Sequence, residues 1–154
     1  MSKYEQNLDR DASYGVVPGG LPFKAVKSRT YTGTSGLGAQ GATTLFTVTG
    51  VVAVRVFGAC SVDLVGAGTL EVGIAGNTAG ILAQIADATT LDAGESYVDG
   101  TPATLEAIDF SSGIIIAAGQ DIIETIGTAD ITAGALEYYC MWRPYSSNGS
   151  VVAA

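Results

Sequence analysis

Short runs of alternating apolar and polar residues, each ended by a cluster of glycine, aspartate, asparagine or serine, recur from about residue 30 to the last residue. A β-strand sends successive side chains to opposite faces, so alternation marks a strand with one buried face. No stretch keeps apolar residues at helical spacing for three turns, and 21 glycines spread over 154 residues interrupt any long helix. Layered βαβ units and helical bundles are therefore poor fits. The pattern predicts roughly eight to ten short strands and an all-β fold, a jelly-roll-like β-sandwich.

The clearest run is 51–61, where Val52, Val54, Val56 and Cys60 share one face and Ala53, Arg55 and Phe57 the other. The face without Arg55 is expected to point inward. The run 43–49 places Phe46 and Val48 on one side, and Thr49-Gly50 is expected to turn it back on 51–61 as a hairpin. In 69–74, Leu70, Val72 and Ile74 are expected inside, with Glu71 outside and across a ladder from Arg55. Residues 80–85 fit either a helical turn, through Ile81, Leu82 and Ile85, or a strand, through Ile81, Ala83 and Ile85; strand is preferred. Further strands are expected at 96–99, 105–110, 114–117 and 121–126, with 118–120 as the turn joining the last two. In 135–143, Leu136, Tyr138, Cys140 and Trp142 share an inward face, with Trp142 as a core anchor. Glu137, Tyr139, Met141 and Arg143 face outward, and Pro144 ends the pairing.

Residues 1–29 show no periodicity and carry the breaker-rich stretch Tyr14-Gly15-Val16-Val17-Pro18-Gly19-Gly20-Leu21-Pro22, so they read as an extended N-terminal arm ahead of a β-sandwich body at 30–154. Charge divides the same way. The arm carries +2, with Lys24, Lys27 and Arg29 close together, whereas the body carries −10. A body of that sign repels phosphate backbones, which argues against nucleic acid as a partner. The arm suits docking on an acidic surface, and solvation of a polar terminus explains its charge equally well. Tyr139, Met141 and Arg143 are residue types enriched at interfaces and form the second candidate contact surface.

The first residues lack the apolar stretch of a secretory signal, and no apolar run reaches the length of a membrane-spanning helix, so a soluble chain made in the cytoplasm is expected. Cys60 and Cys140 are accordingly expected as buried thiols rather than a disulfide.

Catalytic signals are weak. The chain has no histidine and two cysteines, which removes histidine-dependent triads and Cys₄ zinc sites within one chain. Gly36-Leu37-Gly38-Ala39-Gln40-Gly41 matches G-x-G-x-x-G, but a strand pattern follows it where a phosphate site needs a helix, so no nucleotide cofactor is expected. The pairs Asp92/Glu95, Glu95/Asp99, Glu106/Asp109 and Asp121/Glu124 read as solvated or turn carboxylates. Asp87, Asp92 and Asp99 with carbonyls of the glycine-rich turns could converge on a calcium ion, a minor alternative because the D-x-D-x-D-G spacing of a calcium loop is absent, and Asn148-Gly149-Ser150 reads as a turn. Neither an enzyme nor a metal site is expected.

The residues Arg29-Thr30-Tyr31-Thr32-Gly33-Thr34, Ala42-Thr43-Thr44-Leu45-Phe46-Thr47-Val48-Thr49-Gly50-Val51-Val52, Ile74-Ala75-Gly76-Asn77-Thr78-Ala79 and the closing stretch from Ala129-Asp130-Ile131-Thr132-Ala133-Gly134 to Trp142-Arg143-Pro144 resemble small structural proteins of tailed bacteriophages. The likeness is to head decoration, or cement, proteins and covers most of 29–154. It implies a β-rich body that assembles as homotrimers on the exterior of the virion head, where it fastens neighbouring copies of the major capsid protein after synthesis in the host cytoplasm. It transfers no individual functional residue. A tail, baseplate or receptor-binding role is the main alternative. A carbohydrate-binding jelly roll ranks lower, because the single tryptophan, Trp142, falls on an inward strand phase.

Overall fold

The computed structural model describes residues 20–154. The chain forms ten strands: β1 (Phe23–Thr30), β2 (Gly41–Thr49), β3 (Val52–Val65), β4 (Thr69–Ile74), β5 (Asn77–Ile85), β6 (Ser96–Tyr97), β7 (Ile114–Ile116), β8 (Ile122–Gly127), β9 (Ala133–Pro144) and β10 (Ser150–Ala153). A single 3-10 turn at Ala88–Thr90 is the only helical element among the described residues. Two antiparallel sheets pack face to face as an all-β sandwich. The first runs β1-β9-β3, with β6 and β7 sharing the far edge of the long β3; the second runs β10-β2-β8-β4-β5.

The core follows from alternation. Val52, Val54, Val56 and Cys60 of β3 and Leu136, Tyr138 and Cys140 of β9 point inward, against Phe46 and Val48 of β2, Leu70 and Val72 of β4 and Ile122 and Ile126 of β8. Each such side chain contributes about 1.5–3 kcal/mol on full burial, so this inward set is the main source of cohesion between the sheets. Both cysteines are buried free thiols. Burial pushes the Cys140 thiol up to about 12, which keeps it protonated and unreactive at neutral pH.

Several sequence expectations need correction. Phe23–Thr30 is no arm: it pairs with β9 along its whole length, so the body begins at or before residue 23; of the rest of the expected arm, 20–22 is described, with Leu21 buried, and 1–19 lies outside the described residues. Thr49-Gly50 does not close a hairpin. β2 belongs to the second sheet and β3 to the first, and Gly50, at φ 65°, turns the chain from one layer to the other. The 118–120 turn likewise crosses between sheets, from β7 to β8. Because β4 lies in the second sheet, Glu71 cannot face Arg55; it accepts a hydrogen bond from Gln84 Nε2 at 2.7 Å instead. Residues 105–110 form a loop, with Leu105 exposed, and Trp142 is only partly buried at the end of the core, its ring 4.8 Å from that of Phe23.

The glycine motif at 36–41 has a backbone purpose. Gly38 sits at φ 109°, accepts from Ile131 N at 2.8 Å and lies so close to Ile131 that a Cβ would meet its carbonyl oxygen at 2.0 Å. Only glycine fits there, and the chain then enters β2 rather than a helix.

Candidate functional site

The outward face of the first sheet gathers most of the chemistry the described surface offers. Pairing register puts Lys24, Met141 and Arg55 in one row across β1, β9 and β3, with Val26, Tyr139 and Phe57 in the next and Ser28, Glu137 and Ala59 in the one after. Arg143 lies two residues beyond Met141 on the same face, and its Nη1 donates to the Gly20 carbonyl at 3.3 Å. The Phe57 and Tyr139 rings stack at 5.0 Å with 13° between planes. Phe110, carried over the sheet by the 105–113 loop, meets Phe57 edge-on at 6.1 Å.

The face carries three cations, Lys24, Arg55 and Arg143, and two carboxylates, Glu137 and Asp109. Lys24 is exposed, and the half-buried Arg55 has a buried Nε without a hydrogen-bond partner. Asp109 is the neighbouring acid: hydrogen bonds from the Ser111 hydroxyl and amide, together with the field of Arg55, hold its carboxyl below the usual range. Hydrogen bonds from Tyr139 and Ser28 do the same for Glu137, while the bond to Glu137 raises the Tyr139 phenol. A surface of three cations around stacked aromatics and a methionine is suited to contact with an acidic partner surface that also offers apolar groups.

Of the residues nominated from sequence, Lys24, Tyr139, Met141 and Arg143 come together here. Lys27 and Arg29 do not, because odd positions of β1 face the other way. Lys27 pairs in register with Tyr138 and donates through Nζ to the carbonyl of Ala154. Arg29 is buried. Its Nη2 and Nε reach Glu124 Oε1 at 2.9 and 3.2 Å, while the Tyr31 and Tyr138 hydroxyls donate to Oε2 at 2.6 and 2.9 Å. Burial opposes the Arg29 charge, but the attraction of Glu124 and the flanking tyrosines outweighs it and raises the guanidinium pKa. Burial first, then the field of Glu124, raises both phenols well above their ordinary value. Glu124 is fully enclosed, so this cluster ties β1 and β9 to β8 and offers nothing to a ligand.

Arg55 and Phe57 complete the outer face and were marked as outward by alternation alone. Phe110 carried no such signal, since a loop approaching from a distance leaves no local pattern. The other carboxylates are occupied in turns and caps. Asp87 caps the 3-10 turn through Thr89, Asp99 accepts from Thr101 N at 2.7 Å, and Glu95 accepts from Asp92 N at 3.0 Å. Asp121 accepts from Val48 N at 3.0 Å and Glu106 from the Ser96 hydroxyl. Among the described residues no three histidine, cysteine, aspartate or glutamate side chains converge on one point. No protein-family model matches the sequence, no curated protein matches it, and no solved structure matches the fold.

Proposed function

We propose that the chain is a structural, non-catalytic module that docks on the outside of a tailed-phage head as a homotrimer, using the outer face of the first sheet against the major capsid protein. The sequence resemblance supplies the identity of the partner. The observation that carries the docking surface is the grouping of Lys24, Arg55 and Arg143 around the Phe57–Tyr139 stack on a chain whose net charge is −8. Cations collected on one face of an acidic protein orient it toward an acidic surface, and many copies on a lattice multiply a modest single contact.

The test is co-sedimentation of the full chain with purified heads and, separately, purified tails of the encoding phage. Stoichiometric attachment to heads is expected, weakened by rising salt because exposed ion pairs are screened. The double variant K24E/R143E should lose at least about tenfold in apparent affinity, the equivalent of about 1.4 kcal/mol. Attachment to tails alone would move the protein to the other end of the virion. Unchanged attachment by the double variant would discard this face.

A further inference from the structure

One corner of the outer face of the first sheet is covered by the chain itself. Between Glu106, which accepts from the Ser96 hydroxyl, and Ile114, which pairs with Val54 of β3, residues 107–112 run over the sheet without regular structure. They bring Phe110 edge-on against Phe57 at 6.1 Å and Asp109 into the field of Arg55. Arg55 and Phe57 stand two residues apart on one face of β3, about 7 Å along the strand, so the adjacent Asp109 and Phe110 meet them as a pair. This cover is loosely held. Among the described residues the hydrogen bonds of 107–112 are internal, from the Ser111 amide and hydroxyl to Asp109 Oδ1 at 2.8 and 2.6 Å, and all of the segment is exposed except the half-buried Ile108. A segment with few buried contacts and no bonds to its surroundings opens at little cost. The match is also incomplete: among the described residues Asp109 has no ion pair with Arg55, whose buried Nε has no hydrogen-bond partner.

We infer that 107–112 is an internal placeholder: it occupies the Arg55–Phe57 corner of the docking face until a partner segment of the same chemistry, a carboxylate followed by an aromatic ring, displaces it. The inference rests on the docking face of the preceding proposal and names the partner group that this corner selects. An outside segment gains what the loop lacks. Free of the tether between Glu106 and Ile114, its carboxylate closes on the Arg55 guanidinium as a charge-assisted, two-bond pair while its ring packs against Phe57. The tethered loop competes at an effective concentration of about a millimolar, and the apparent affinity of any partner falls with the fraction of chains whose corner is covered. A surface that offers charge without an aromatic ring, or the ring without charge, gains too little to displace the loop, so the placeholder sharpens selection as well as delaying attachment.

The experiment compares the full chain with D109A/F110A, whose substitutions lie at exposed positions and should leave circular dichroism and the thermal melt unchanged. The probe is a synthetic peptide of residues 106–113, Glu-Ala-Ile-Asp-Phe-Ser-Ser-Gly, followed through chemical-shift changes of the Arg55 side chain and the Phe57 ring in isotope-labelled protein. The peptide should bind D109A/F110A at least about tenfold more tightly than wild type, because the tethered competitor is gone. Adding R55Q to that variant should remove the binding. In wild type, the amides of 107–112 should exchange with solvent far faster than those of β7. Equal binding of the peptide to wild type and D109A/F110A, binding to neither, binding that survives R55Q, or slow exchange across 107–112 would overturn the inference. Attachment to heads separates the two proposals. D109A/F110A should attach at least about threefold more tightly than wild type; equal or weaker attachment would mean that the loop does not hold the face against the capsid and would overturn the placeholder. If no form attaches to heads, the capsid proposal fails alone, and the peptide still decides this one.

Discussion

Glu124 shows how far a single residue can be read from its neighbours. It stands between Ile122 and Ile126 on an alternating strand, and strand parity alone sends all three side chains to the core. Reading it with Asp121 as a surface carboxylate gave weight to its charge and ignored its phase. The same holds for Arg29, which shares its phase with Tyr31 and was grouped with Lys24 because of charge. What no local pattern carries is the pairing of the two, 95 positions apart, through bonds of 2.9 and 3.2 Å. A buried pair is costly to break from one side, because the surviving charge stays in low dielectric. E124Q is therefore expected to destabilise the fold by about 3–5 kcal/mol, as is R29M. In R29M/E124Q the charges leave together while the amide oxygen still accepts from the tyrosines, so the losses should be less than additive by about 1–3 kcal/mol. Urea unfolding of the four proteins gives the coupling, and strictly additive losses would mean that the pair is not energetically linked.

At the level of elements, strands with long uninterrupted alternation were legible: β3, β8 and β9 lie close to where their side-chain pattern puts them. Strand β5 resisted because its pairing slips. Leu82 faces Val72 and Ile85 faces Leu70, three residues against two, so both point inward at a helix-like spacing. Turn signals at Gly50 and Gly119 were real, but a turn does not say whether the next strand pairs with the last or crosses to the facing sheet. β1 was missed because Lys24, Lys27, Ser28 and Arg29 put polar groups on both of its faces, one inward cation at the sandwich edge and the other paired in the core. The consequence can be measured by truncation. Removing 1–19 leaves every strand pairing among the described residues and the Arg29–Glu124 bond in place, so cooperative unfolding should persist. Removing 1–30 strips the edge strand from β9 and leaves Glu124 without its cation, and the remaining chain should lose its cooperative transition. A sharp melt from the shorter chain would show β1 to be dispensable.

At the scale of the whole molecule, the two sheets are joined by apolar contact and by phenols that reach across the core. Tyr31, which follows β1, and Tyr138 of the first sheet end on Glu124 of the second, and Tyr97 donates across to the β5 carbonyl of Ala83. Burial, followed by the field of Glu124, raises all three phenols above the ordinary tyrosine value. This sets an alkaline limit for the fold. Below about pH 10 the three are protonated in folded and unfolded chains alike and stability does not depend on them. Above it the unfolded chain releases protons that the folded chain keeps, so the unfolded state binds fewer and stability falls as pH rises, until the folded values are reached. Each fully differential tyrosine contributes about 1.4 kcal/mol per pH unit, so three together give a slope of about 4 kcal/mol per unit. Urea unfolding from pH 7 to 11.5, followed alongside phenolate absorbance, measures the slope and counts the tyrosines that ionise before the fold is lost. Y138F removes one of the three and should flatten the decline by about a third, at the price of one hydrogen bond to Glu124 worth about 1.5–3 kcal/mol at neutral pH. Ionisation of all seven tyrosines near pH 10 with native circular dichroism retained would contradict the enclosure of Tyr31, Tyr97 and Tyr138 between the sheets.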